Sequence, residues 1–147
     1  MKILSLSTSF PRFKDDWVLP SLDVEARELS RCHGNEVIVI SSAGTDTKDF
    51  ELREKVKIYR FNYFIKKYQT LTYTGGLSTS FASGIISKIK AIPFMISFML
   101  SALKYGRNCD VVHAHWTPSA FVAIPLKILY NKPIVVFSQK EPEKITW

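Results

Sequence analysis

Asp110-Val111-Val112-His113-Ala114-His115-Trp116-Thr117-Pro118 decides how this chain is read. A short apolar run meets two histidines and a tryptophan. Thr117 and Pro118 then offer a helix start, threonine as N-cap and proline at the first helical position, where a missing N–H costs nothing. The stretch predicts strand, sharp turn and helix. Side chains alternate along a strand, so His113 and His115 point to the same side. Ligands of open α/β sheets bind beyond the carboxyl ends of the strands, which sets His115 nearer a ligand than His113. The competing reading, a histidine satisfied inside the core, applies to both and weighs more on His113. Two histidines at this spacing would need further ligands to hold zinc, and Cys32 and Cys109 stand isolated, so no metal site is expected.

Downstream, Pro118 to Tyr130 reads as helix, Asn131-Lys132-Pro133 as a turn and Ile134-Val135-Val136-Phe137 as a fifth strand. Residues 138–147 read as a charged tail. Upstream, Ile85 to Tyr105 is mostly apolar. Its uninterrupted part, Ala91 to Leu103, falls short of the about 20 apolar residues that cross a membrane, so a buried or interfacial helix is expected. Tyr73 to Gly84, rich in Gly, Ser and Thr, is expected to be a mobile loop.

At the start of the chain, Lys2-Ile3-Leu4-Ser5-Leu6-Ser7 predicts the first strand, and Thr8-Ser9-Phe10-Pro11-Arg12 a loop in which Pro11 stops any continuation. That loop lacks the G-x-G-x-x-G of a dinucleotide site. Val18, Leu22, Ala26 and Leu29 recur at helical spacing, with Asp23, Glu25 and Glu28 on other faces and Gly34 as the stop. Glu36 to Ser41 is a β-branched run typical of a strand covered on both faces. Ser42 to Glu54 is polar and read as loop, and Lys55 to Tyr63 as the third strand.

With 147 residues, 46% of them hydrophobic, the chain suffices for one domain with a real core. Two cysteines form no disulfide framework and suit a reducing cytoplasm. The N-terminus is no secretory signal, since its apolar segment is only Ile3 to Leu6. The net charge of +7 favours anionic partners. Lys55, Lys57, Arg60, Lys66 and Lys67 lie among aromatics and precede an apolar helix; peripheral contact with an anionic inner membrane face is one reading, and a solvated basic face over a buried helix is the other and the favoured one. Nucleic acid is not an expected partner, because no recognition helix or RNP-like motif is present.

The first three strands should wind one way from the sheet centre and the last two the other. This gives an α/β, Rossmann-like parallel sheet of order 3-2-1-4-5 with helices on both faces. The switch point falls between the first and fourth strands. It is flanked by Ser9-Phe10-Pro11-Arg12 and His115-Trp116-Thr117. There Arg12 would supply charge, His115 a hydrogen bond and Trp116 a stacking face. A solvated surface charge is the other reading of Arg12.

The same residues resemble the N-terminal domain of a family 4 glycosyltransferase of the GT-B architecture. The matching features are Lys2-Ile3-Leu4 running into Ser9-Phe10-Pro11-Arg12, the helix Ser21 to Cys32, Gly34-Asn35-Glu36-Val37-Ile38-Val39, Asp110 to Trp116, and Lys132-Pro133-Ile134-Val135-Val136. The resemblance covers nearly all of residues 1 to about 137. It implies a transferase moving a sugar from a nucleotide-sugar donor to a sugar or lipid-linked acceptor in carbohydrate biosynthesis, the N-terminal domain binding mainly the acceptor and a C-terminal domain the donor. It also implies that His115, second histidine of an H-x-H pattern, is catalytic and reaches the sugar near the reacting centre. Phe10, Pro11, Arg12, His113, Trp116 and Thr117 would line the substrate side, with no cofactor and no metal.

Two departures stand out. Phe13-Lys14-Asp15-Asp16-Trp17 follows the first strand where the family usually has glycines. Ser138-Gln139-Lys140-Glu141 stands where it usually reads H-G-x-D, and no E-x7-E stretch follows. The expectation is therefore an acceptor-side domain over 1–137 with a tail over 138–147, truncated before the donor domain and inactive alone. The alternative is a standalone flavodoxin-like module that binds a small ligand. A response regulator is disfavoured, since the first strand ends in Ser7-Thr8-Ser9 and Tyr59-Arg60-Phe61 holds no aspartate.

Overall fold

The computed structural model describes residues 1–73 and 85–138. The expected mobile loop from residue 74 onward and the tail from 139 lie outside the described residues. The elements are β1 (Lys2–Leu6), α1 (Pro20–Arg31), β2 (Glu36–Ser42), β3 (Phe50–Arg53), β4 (Val56–Phe61), α2 (Ile85–Gly106), β5 (Val111–His115), α3 (Trp116–Tyr130) and β6 (Ile134–Phe137).

They build a six-stranded sheet ordered β3-β4-β2-β1-β5-β6. The run β4-β2-β1-β5-β6 is parallel throughout and reproduces the expected order and the Rossmann-like α/β class. The expected five-strand order needs one correction. Phe50–Arg53, inside the stretch read as loop, is an antiparallel edge strand on β4. Its pattern is inverted: Phe50 and Leu52 are exposed while Arg53 is buried. A strand that turns charge inward gives no hydrophobic-in alternation to read.

Alternation sorts the sheet into two cores. Leu4, Leu6, Ile40, Val112 and Ala114 face α2 and α3, whose Phe94, Phe98, Ala102, Val122, Ala123 and Leu126 complete that layer. Ile3, Val37, Val39, Val56 and Ile58 face α1 through Leu22 and Ala26. Burial of such residues stabilises by roughly 25 cal/mol per Å² of apolar surface.

α1 starts at Pro20, a favoured first helical residue. It ends before Gly34, and the chain leaves through a 3-10 turn in which His33 and Gly34 both have positive φ. α2 is apolar on both sides: Phe94 and Phe98 are fully buried, whereas Ile89, Ile92, Ile96 and Leu100 are exposed. No helix among the described residues is long and apolar enough to cross a membrane. The expected basic patch also needs correction. Arg60 is buried, Lys57 pairs with Glu36 at 2.7 Å and Lys66 with Asp49 at 3.4 Å, so these three cations are not a free basic face.

Candidate functional site

β1 and β5 are adjacent and parallel, Leu6 pairing with Ala114, so their carboxyl ends open side by side. The helix after β1 packs on one face of the sheet and the helix after β5 on the other. This is the switch point at which open α/β sheets form a crevice.

On one side lies the loop after β1. Its conformation is fixed through four successive carbonyls. Ser42 Oγ donates to Thr8 O at 2.8 Å, Ser7 Oγ to Ser9 O at 2.6 Å and Tyr73 Oη to Phe10 O at 3.1 Å. Pro11 O accepts from Arg60 at 2.8 Å and from Arg53 at 3.3 Å. The two arginines are buried but paired, Arg53 with Asp23 at 2.9 Å and Arg60 with Glu51 at 3.1 Å. Buried charges persist only when paired and hydrogen-bonded, as here.

Phe10 is packed in the core beside Ile3 and Leu22, and Pro11 is buried under the loop. Arg12 is half-buried. Its guanidinium grips the Asp16 carboxylate through Nε at 2.9 Å and Nη2 at 3.2 Å, and lies over the rings of Phe13 and Tyr73. Asp16 belongs to the stretch Phe13 to Trp17 after the first strand, and here it orients Arg12.

On the other side lies the turn after β5. α3 begins at Trp116, two residues earlier than the Thr117 cap predicts, and no side chain caps it. Trp116 has φ 64°, the left-handed region that a bulky residue adopts only at a cost. Its ring packs against the core on the α1 side, while Thr117 is exposed.

His113 and His115 do face the same side, their ring centroids 4.4 Å apart. His115 is 3% exposed, with Nε2 3.2 Å from Ser5 Oγ. Burial, with a smaller contribution from His113, pushes its pKa down to about 4, so the imidazole is neutral at neutral pH. His113 Nδ1 meets Glu25 Oε1 at 3.1 Å, and the same oxygen lies 3.8 Å from His115 Nε2.

The structure thus brings His113, His115 and Trp116 together, and sets Phe10 in the same core layer as Trp116. Arg12 is held by Asp16 on the facing loop. The sequence reading missed Glu25, Ser5 and the Arg53–Arg60 pair. Glu25 had a signal: it stands three residues after Leu22 and four before Leu29, on the edge of the buried stripe. The inward arginines had none, since their partners are Asp23, Glu51 and the backbone of a distant loop, which only the folded sheet brings together.

No family model and no curated protein matches the sequence. Among solved structures, the sucrose-phosphate synthase of Thermosynechococcus elongatus superposes with a TM-score of 0.57 at 13% identity, over 95% of this chain and 64% of that one. At that identity the likeness is one of fold: the chain shares its Rossmann-like α/β architecture with this enzyme and spans 64% of its length.

Proposed function

We propose that this chain is the acceptor-binding half of a glycosyltransferase of the family 4, GT-B kind, with residues 1–137 as the acceptor-side domain. One observation carries the reading. The two stretches that resemble the family's motifs, Ser9 to Arg12 and His113 to Thr117, sit at the ends of adjacent parallel strands. The sucrose-phosphate synthase likeness supports a glycosyltransferase-like fold.

In this reading a nucleotide-sugar donor is held by a second unit, and the sugar or lipid-linked acceptor lies over the crevice. The acceptor oxygen bonds to the anomeric carbon as the bond from that carbon to the diphosphate breaks. The diphosphate leaves with the electron pair, and the hydroxyl proton passes to solvent. Arg12 supplies positive charge, His115 a neutral imidazole beside the reacting centre and Trp116 a ring face. Phe10 and Pro11 shape the floor, and His113 and Thr117 stand at its margin.

Glycosyl transfer needs donor and acceptor atoms about 3–3.5 Å apart, which calls for both halves. The purified chain should therefore bind nucleotide sugars no tighter than about millimolar by calorimetry, and turn none over. Acceptor oligosaccharides should shift the Trp116 indole resonance, and Arg12→Ala should weaken that response. Turnover of a nucleotide sugar by this chain alone would overturn the reading. So would tight binding of a flavin, the signature of a standalone flavodoxin-like module.

A further inference from the structure

Glu25, His113 and His115 meet where β5 passes α1, and together they are more than a histidine pair. We propose that these three side chains form a binding site for one divalent transition-metal ion, with zinc as the ion their chemistry fits best. The inference goes beyond the glycosyl-transfer reading and stands or falls on metal binding alone.

Geometry is the first support. Glu25 Oε1 is 3.1 Å from His113 Nδ1 and 3.8 Å from His115 Nε2, and the three ligand atoms lie within 4.8 Å of one another. Metal bonds of about 2.0–2.1 Å at tetrahedral angles set donor atoms roughly 3.3–3.5 Å apart. The observed spacings straddle that range, so rotamer adjustments of about an ångström close the site. The H-x-H spacing on a strand aims both imidazoles at one point, and the carboxylate arrives from a helix packed on the same core layer. All three ligands sit on regular elements, which hold a site more firmly than loops do.

The polar accounting of His115 is the second support. The residue is 3% exposed and turns Nε2 toward Glu25; its Nδ1, buried without a partner, would not touch the ion. Its Nε2 faces Ser5 Oγ at 3.2 Å and an oxygen of Glu25 that His113 already engages. At 3.8 Å the Glu25 oxygen is too far from Nε2 for a hydrogen bond, which leaves a gap between two lone-pair donors. A cation in that gap would accept a lone pair from each.

Ligand chemistry selects the ion. Two imidazole nitrogens and one carboxylate oxygen suit zinc, whereas magnesium and calcium prefer all-oxygen sets. Three protein ligands leave a fourth position open. His113 and Glu25 are half-buried, which leaves a way in from solvent. Phe137 stands edge-on to both imidazoles, at 6.5 and 6.2 Å between ring centroids, and gives the site an apolar wall.

The test uses the full chain, stripped with EDTA and then titrated with zinc chloride against a chromophoric chelator, with cobalt(II) as a spectroscopic probe. One ion per chain is expected, with micromolar or tighter affinity and the intense visible bands of tetrahedral cobalt. His115 is buried and its loss endangers folding, so the informative variants are Glu25→Gln and His113→Gln. Each should weaken zinc by about tenfold or more while circular dichroism stays unchanged. Zinc should also raise the melting temperature of the parent chain and not that of Glu25→Gln. Cys32→Ser and His33→Gln, which remove the exposed neighbouring pair, should bind like the parent. Absence of stoichiometric binding would overturn the proposal, as would binding untouched by the first two variants and lost with the second two.

Discussion

The guanidinium of Arg60 donates to the carbonyl of Pro11 at 2.8 Å, across 49 residues of sequence. The Arg60 side chain is fully buried and also pairs with Glu51 at 3.1 Å. A strand on one side of the sheet thereby sets the path of the loop at its centre. Arg60→Met should cost about 2–3 kcal/mol in denaturant unfolding, because Glu51 and the Pro11 carbonyl lose a buried donor. Hydrogen exchange of residues 8–12 should speed up well beyond that of the core strands. Arg60→Lys should recover less than half the loss, since an ammonium cannot fork between two acceptors.

Asp16 accepts from the Arg12 side chain and from the backbone N–H groups of Arg12 and Val18, and these bonds hold its carboxyl down to about 2. Its folded pKa is lowered, so the unfolded chain binds more protons between about pH 4 and pH 2. The stabilisation is complete above about pH 4 and is lost as the pH falls through about 2. Asp16→Asn should cost about 1 kcal/mol at neutral pH, discounted because Arg12 reaches solvent. Melting curves of the two proteins should converge near pH 2.

Much of this was legible because it is periodic. The β-branched run at Val37 to Ile40, the strand Ile134–Phe137 and the strand–turn–helix at His115 follow from alternation and apolar continuity. What was not legible depends on charge turned inward. Phe50–Arg53 hides as a loop because Arg53 faces in and Leu52 faces out. Arg60 reads as surface charge until Pro11 and Glu51 are seen to be its partners. In the site, the histidine pair could be read from spacing, but Glu25 comes from 88 residues earlier and only the helix-to-sheet packing unites them.

Gly106 closes α2 against α3 and β1. A Cβ placed there would collide with Leu126 Cδ2 and press on Leu4 Cδ2 at 3.2 Å. The glycine is therefore a packing requirement as well as a helix end. Gly106→Ala should destabilise by about 1–3 kcal/mol, the cost of overpacking a filled core, despite the better helix propensity of alanine. Pairing it with Leu126→Val should return part of the loss, which chemical denaturation of the double variant measures.

His115 lies at the strand end beside the crevice, neutral and nearly inaccessible. In the enzyme proposed above, His115→Ala should lower turnover by about two to three orders of magnitude, the usual effect of losing one preorganised hydrogen bond at a reacting centre. Steady-state kinetics should show the loss in kcat, with KM for the donor little changed. Near-normal turnover would remove His115 from the reacting centre.

Trp116 carries two opposing contributions. Its indole packs against the core layer that contains Phe10 and Ile3, which stabilises. Its φ of 64° costs about 1–2 kcal/mol in a residue with a Cβ. Substitution separates them. Trp116→Ala removes the packing and keeps the strained backbone, whereas Trp116→Gly removes both. Glycine is ordinarily the less stable residue at the start of a helix, because its unfolded chain has more freedom to lose. Here the order should reverse: the glycine variant should unfold at higher denaturant than the alanine variant, by about 1 kcal/mol, with both below the parent. An alanine variant as stable as the glycine variant would mean that the turn relaxes once the indole is gone. The sharp entry into α3 would then be imposed by packing of the ring, and not by the path of the chain from β5.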